Sequence, residues 1–517
     1  MLTVRDRKNA SRDIVPDKPH APGKPHALVI GSGFGGLAAA IRLGARGYRV
    51  TVLERLDYAG GRAGVLKRDG FTFDRGPTIV TAPFLFDELW RLCGQKMADH
   101  VDMRPMMPFY RIRFEDGDEI ACSGDDAEMR RQVMRISPGD LAGYERFLKK
   151  ARDICVKGFE ELGDMPFGSP LDMLKIAPDL VRLEGYRSVH GLVSRFVKSP
   201  KLRTMLSFHP LLIGGNPFRA PAIYCLIPDL ERRWGVHYPM GGVGRLVDGL
   251  VALIRGQGST VRYGAEVTRI LVESDRARGV ELASGGTIHA EIVVSNADAA
   301  WTYGKLVGKE NSTRWSAGKL RRARYSMGLF VWYFGTRRRY DKVGHHTILL
   351  GPRYRELLDD IFEKKRLSED FSIYLHRPSA TDPSVAPPGC DAFYALCPVP
   401  NLDGNIDWAS EGERRRQAVM RRLSSTLMPG LESEIVTSSF VTPLHFRDVL
   451  LSEKGSGFSF EPVLTQSAWF RPNNRSETIE GLYLVGAGTH PGAGLPGVLS
   501  SAKILDKVVP HASAFAA

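Results

Sequence analysis

No apolar run in this chain approaches the eighteen or so residues that a membrane-spanning helix needs, which excludes an integral helical membrane protein. Cysteine is scarce. The six residues Cys93, Cys122, Cys155, Cys225, Cys390 and Cys397 form no CxxC pair, and no histidine stands at metal-ligand spacing. Neither a disulfide scaffold nor a metal site is expected, and the thiols read as reduced and mostly packed, as in a cytosolic protein. A Ser/His/Asp arrangement and an obvious carboxylate pair are missing too. Acidic side chains fall short of basic ones by 13, which gives a basic surface suited to anionic lipid or nucleic acid. No nucleic-acid motif accompanies that surplus, so no nucleic-acid partner is expected. Residues 1–25 lack an apolar core among Arg5, Arg7, Lys8, Asp13, Pro16, Pro19 and Pro22, and read as a disordered tail, not a signal peptide.

What is present begins at Ala27. Ala27-Leu28-Val29-Ile30 suits a buried parallel strand, and Gly31-Ser32-Gly33-Phe34-Gly35-Gly36 follows at once, leading into a helix over Leu37 to Ala45. Gly31 permits the tight turn, Gly33 clears space for a diphosphate, and Gly36 lets the helix approach the strand. The helix N-terminus then faces the phosphates. A second strand, Tyr48 to Leu53, ends at Glu54, whose carboxylate is placed to accept both hydroxyls of an adenosine ribose and to repel a 2′-phosphate. Strand, glycine turn, helix and spaced acid together predict a Rossmann-like dinucleotide site. A second glycine box, Gly60-Gly61-Arg62, precedes Phe73-Asp74-Arg75-Gly76-Pro77-Thr78 and has no particular use in an NAD-only domain. Arg62 reads either as a charge directed at a diphosphate or flavin, or as a surface arginine beside a turn.

At 517 residues the chain calls for two or three substructures. A helix over Leu85 to Leu92 and a hairpin of Tyr110 to Phe114 with Glu119 to Cys122 are expected. From Leu141 to about Leu230 the pattern is helical, broken by prolines, with Leu171, Met173, Leu174, Ile176, Leu180, Val181 and Leu183 interleaved with cations from Lys175 to Arg203. This suits an interfacial helix holding lipid headgroups, or equally a helical subdomain with a solvated basic face. A helix over Leu246 to Ile254 and short strands at Thr260 to Tyr263, Val267 to Val272, Arg278 to Leu282 and Ile288 to Val294 return the chain to the nucleotide domain, with Val267 near the adenine. Strands at Gly328 to Phe334, Phe371 to His376 and Ala392 to Val399 are expected to floor an apolar cavity, and a helix begins at Arg414 to Arg416. Near the end, Gly481 to Leu484 feeds Val485-Gly486-Ala487-Gly488-Thr489-His490-Pro491, then Gly497-Val498 and a helix from Leu499, a second phosphate-approach design. Both ends are therefore expected to build one cofactor site.

Five runs carry a resemblance over nearly the whole chain from Ala27: Phe73 to Thr78, Ser207 to Phe218, Ser295 to Asp298, Glu461 to Pro472 and Gly486 to Gly494. In this order they resemble the bacterial and fungal type of phytoene desaturase, within the flavin amine oxidase-like superfamily. Arg75 departs from the small or apolar residue frequent in such proteins. The resemblance implies non-covalent FAD and stepwise dehydrogenation of phytoene toward neurosporene or lycopene, with quinone or oxygen as the final electron acceptor. It implies an α/β protein with a discontinuous Rossmann-like FAD-binding domain (26–105, 232–305 and 455–510). The remainder is a mixed-sheet substrate domain (106–140 and 306–454) and a helical lid or membrane-contact subdomain (141–231). Peripheral attachment of a cytoplasmic protein to membrane lipid follows from the apolar substrate. The developing cation is delocalised, so a strong protein base is not required. The sequence's own candidate for proton acceptor or cation stabiliser is Asp172, although its place after Pro170 favours capping work over that role; His490 is the second, with a structural part in its turn favoured there too. Alternatives are a desaturase or oxidase of a hydroxylated or C30 polyene, and a non-enzymatic isoprenoid-binding protein. A nicotinamide dehydrogenase is disfavoured for want of a second comparable GxGxxG.

Overall fold

The computed structural model describes residues 23–308, 311 and 314–515. The expected N-terminal tail lies outside them except for its last three residues, and the Pro25 carbonyl already accepts a hydrogen bond from Arg49 N at 3.0 Å. Five parallel strands then form one sheet in the order Thr260–Arg262, Arg49–Leu53, His26–Ile30, Ile292–Ser295, Leu482–Leu484. The central strand is buried throughout because both faces are covered, as parallel sheets require. Ala27 and Val29 pack with the helices Phe34–Ala45, Gly244–Gly256 and Leu495–Val508. Leu28 and Ile30 face a second core shared with the antiparallel strands Val267–Glu273 and Arg276–Leu282.

Ile288 to Val294 is not the single strand the sequence suggests. Thr287–His289 joins the antiparallel sheet, while Ile292–Ser295 joins the parallel one. The two residues between them tie the sheets together: Ala290 N donates to Arg278 O and Glu291 N to His26 O, each at 3.0 Å. The helix expected from Arg414 starts earlier, at Trp408, because Asp407 caps Ala409 N and sets the first turn. The helix expected from Leu499 likewise starts at Leu495.

A seven-stranded mixed sheet forms the second layer, in the order Ile435–Val441, Gly328–Thr336, Asp391–Val399, Ile373–His376, His346–Leu349, Tyr110–Arg113, Glu119–Cys122. The Tyr110–Arg113 and Glu119–Cys122 hairpin supplies one edge. Gly328–Thr336 shows why the sheet has two different faces. Phe330, Trp332 and Phe334 pack under the helix Trp408–Thr426, whereas Leu329, Val331 and Tyr333 enter a separate core on the opposite side.

Residues 141–231 are mostly helical, including Leu141–Cys155, Pro170–Arg182, Pro200–Ser207 and Leu226–Trp234. The helix Pro170–Arg182 buries none of its residues; Leu171, Leu174 and Val181 are 63%, 69% and 65% exposed. No described helix is long and apolar enough to cross a membrane.

Candidate functional site

One large cavity, of about 500 Å³, runs from the end of the parallel sheet to the face of the mixed sheet. The glycine turn after the first strand and the glycine loop near the chain's end line it together: Gly31 and Gly33 from one, Gly486, Gly497 and Val498 from the other. Gly61, Arg62, Gly76, Pro77, Thr78, Glu54 and Val267 line it as well. Gly36 and Gly488 lie behind the wall. A side chain at Gly36 would overlap the Gly31 carbonyl, and one at Gly488 would press on Ala299 and Ser459.

Two helices begin at this end of the cavity, Phe34–Ala45 after Gly33 and Leu495–Val508 after Gly494. Neither has a side-chain cap or an acidic residue in its first turn. Their orphan N–H groups and positive dipole ends therefore remain available to an anion. The buried Glu54 carboxylate accepts from Ser32 N at 2.8 Å and Ser32 Oγ at 2.7 Å through one oxygen, and from Leu56 N at 2.9 Å through the other. It thus fixes the glycine turn while lining the cavity. Asn296, which the sequence did not single out, fills the gap between Gly33, Gly35 and Gly486 and so joins the two glycine segments.

Arg62 does not extend freely. Its Nε donates to Gly457 O at 2.9 Å and Nη2 to Ser452 Oγ at 2.8 Å, and burial pulls the guanidinium below its ordinary pKa. Behind the wall, Asp74 accepts from Val243 N, and burial raises its carboxyl pKa to about 6. The opposite part of the cavity is apolar and aromatic, with Leu329, Tyr333, Tyr374, Tyr394 and Leu396 from the mixed sheet and Phe208 from the helical segment. Burial pushes the three tyrosine hydroxyls above their usual pKa, so they stay neutral. Tyr374 Oη is hydrogen-bonded with Thr78 Oγ1 at 2.6 Å and with His346 Nδ1 at 2.8 Å.

Asp172 is outside the lining of this cavity. It completes a capping box, accepting from Ser169 N at 3.0 Å while Ser169 Oγ accepts from the helix, and lies 3.6 Å from Lys175. His490 is buried and hydrogen-bonded to Met165 O at 3.1 Å, and burial together with Arg471 lowers its pKa to about 3. Its ring thus links the glycine loop near residue 490 to the helical segment at Met165. Among the described residues one cluster, His345, His346 and His376, has ring nitrogens within 4.8 Å of one another. Each ring already has a hydrogen-bond partner: His346 Nδ1 with Tyr374 Oη at 2.8 Å, His376 Nε2 with His345 Nε2 at 3.1 Å, and His345 Nδ1 with Thr381 Oγ1 at 2.6 Å.

Sequence reasoning also missed Glu231, which lines the apolar part of the cavity and is 2% exposed. Its partners, Tyr110 and His209, lie 121 and 22 positions earlier in the chain, on a hairpin strand and in a proline-bearing turn. No local spacing signals that set.

Comparison with known proteins agrees with this geometry. Residues 34–504 match the family model of flavin containing amine oxidoreductases. A neurosporene-forming phytoene desaturase of Rhodobacter capsulatus is 48% identical over 496 residues, covering 95% of each chain. A lycopene-forming phytoene desaturase of Pseudescherichia vulneris is 48% identical over 478 residues, covering 92% of this chain and 97% of its own. Among solved structures, a putrescine oxidase variant superposes with a TM-score of 0.65 at 12% identity, over 95% of this chain and 99% of that one, a likeness of fold.

Proposed function

The chain belongs to the flavin containing amine oxidoreductases and, within them, to the bacterial-type phytoene desaturases, and from that premise we propose how its residues serve the reaction. The activity is dehydrogenation of phytoene to neurosporene or lycopene in carotenoid biosynthesis. One observation carries the reading: a single cavity joins a glycine-lined corner with two uncapped helix starts to a wall of apolar and aromatic side chains.

The glycine corner fits FAD held without a covalent bond. The helix start after Gly33 would receive the diphosphate, with Gly31, Gly33 and Gly61 leaving room for it. Glu54, already oriented by Ser32 and Leu56, would take the ribose hydroxyls, and Val267 would serve the adenine. Gly76, Pro77, Thr78, Gly486, Gly488, Gly497 and Val498 shape the wall toward the ring, with Gly36 setting the helix against its strand. Arg62 braces that wall through Gly457 and Ser452. When bound, the flavin supplies the two-electron acceptor for hydride removal.

The chain's own side chains do the rest. Leu329, Leu396 and Phe208 exclude water and hold the hydrocarbon extended. Tyr333, Tyr374 and Tyr394 remain neutral and offer ring faces to a positive charge spread along a polyene. The exposed apolar face of Pro170–Arg182, set beside the Ala468–Phe470 turn with its 40% exposed Phe470, is the contact with a lipid monolayer, from which phytoene enters. Many cations of this segment are paired at the surface, including Lys175, Arg182, Arg187 and Arg195. Such exposed pairs are worth little and exchange readily for lipid phosphates. A quinone or oxygen completes turnover.

The test is incubation of flavin-reconstituted protein with phytoene-loaded liposomes, followed by product identification. Neurosporene or lycopene is expected; conversion of a C30 or hydroxylated polyene with phytoene untouched would overturn the assignment. Vesicle flotation should weaken at high salt and in vesicles without anionic lipid.

A further inference from the structure

Taking a hydride from one carbon of a chain and leaving a double bond also requires that a proton leave the neighbouring carbon. The acidic residues of the cavity differ sharply in their freedom to take it. Both oxygens of Glu54 are engaged by Ser32 and Leu56. Asp298 caps Ala300 N through Oδ1 and its Oδ2 is also unpartnered, but it belongs to the Ser295 to Asp298 run at the glycine corner and not to the hydrocarbon part; Glu266 lies half-buried beside Val267. Glu231 stands in the hydrocarbon part of the cavity, with Ile227, Leu230, Leu211 and Phe208.

Its setting is that of a prepared base. Oε2 accepts from Tyr110 Oη at 2.7 Å and lies 3.4 Å from His209 Nε2, which is itself 3.0 Å from Tyr110 Oη. Oε1 has no hydrogen-bond partner, and neither has His209 Nδ1. Phe208 closes one side, its ring edge-on to Tyr110 at 5.4 Å. Burial and the nearby carboxylate push the Tyr110 hydroxyl well above its usual pKa, so it donates to Glu231 and does not ionise. No lysine or arginine pairs with Glu231 among the ion pairs of the described residues; the side chain beside its Oε2, after Tyr110, is His209.

We infer that Glu231, through its free Oε1, accepts the proton lost in each desaturation, with Tyr110 and His209 positioning the carboxylate. In each step one carbon loses hydrogen with its electron pair to the two-electron acceptor. The C–H pair of the adjacent carbon becomes the new π bond, and that carbon's proton goes to Glu231. The developing carbocation is strongly acidic, so a carboxylate beside the hydrocarbon suffices as proton acceptor. The inference rests on the desaturase reading above.

The test uses holoenzyme on phytoene liposomes. Glu231→Gln preserves size and the acceptor for Tyr110 but cannot take a proton. It should lower kcat about a hundredfold or more while leaving KM, flavin content and melting temperature near wild type, and Glu231→Asp should regain at least about tenfold of that loss. Tyr110→Phe removes a donor to the carboxylate, raises its proton affinity and should move the acid limb of the kcat profile to higher pH. That shift also serves as the deciding readout should Glu231→Gln not fold. Unchanged kcat in Glu231→Gln, or an acid limb unmoved in Tyr110→Phe, overturns the inference. A wild type inactive on phytoene would instead overturn the functional reading.

Discussion

The strand His26–Ile30 and the helix Pro170–Arg182 are opposites in one molecule. All five residues of the strand are buried, whereas all thirteen of the helix remain at least partly open to solvent. The strand and its glycine turn owe their geometry to packing on both faces. The helix owes its start to local capping by Ser169 and Asp172 and leaves its leucines uncovered. The difference teaches where the protein tolerates change: at Gly36 and Gly76 the glycine corner is set by backbone contacts that admit no added atom, while the outer helix can be rewritten with little effect on folding.

The contrast is sharpest at Gly36, where a side chain would overlap the Gly31 carbonyl. Gly36→Val should destabilise the protein by about 3 kcal/mol or more and leave it largely without flavin, measured by melting temperature and flavin absorbance. If it melts and binds flavin as wild type, the corner is looser than its packing indicates.

Carboxylates provide a second comparison, Asp74 inside and Asp172 outside. The folded pKa of Asp74, about 6, lies above its ordinary value of 3.8, so the native state binds its proton more tightly than the unfolded chain. Stability from this group is fully present below pH 3.8 and is lost as pH rises through about 6, a change of roughly 2 to 3 kcal/mol. Asp74→Asn keeps an acceptor for Val243 N and should flatten that part of the stability-against-pH curve, raising stability at neutral pH. A denaturant titration series across pH 4 to 8 gives the answer, and an unchanged slope would contradict it.

On the outer helix, replacing Leu171 and Leu174 with serine should lower vesicle binding about tenfold, since each withdraws apolar surface from the monolayer. Melting temperature should hardly move, because neither side chain is packed. Vesicle binding equal to wild type would leave the exposed face without this role. The smallest effect is expected at the cap: Ser169→Ala should cost about 1 kcal/mol at most, seen as faster amide exchange in Pro170–Arg182 with flavin binding unchanged.

The same contrast explains how much was legible beforehand. Gly31, Gly33, Gly36 and Glu54 could be read because strand, turn and helix occur within one short stretch, where spacing carries geometry directly. Gly328–Thr336 was readable as a strand but not as to its two faces, because the run is apolar throughout and both sides are buried. Ile288 to Val294 was misread because an apolar run does not reveal which of two sheets its halves will join. Glu231 was invisible for a different reason. Its partner Tyr110 is 121 positions away and meets it only after the mixed sheet and the helical segment have packed. Asn296 resembled part of a family run, and only the folded backbone showed it wedged between the two glycine segments.

The Leu482–Leu484 strand pairs with Ile292–Ser295, at the far side of a sheet whose first member is His26–Ile30. The edge left by Ile292–Ser295 is therefore closed only once Leu482–Leu484 has been synthesised. Until then the nascent polypeptide presents an unfinished template to its surroundings.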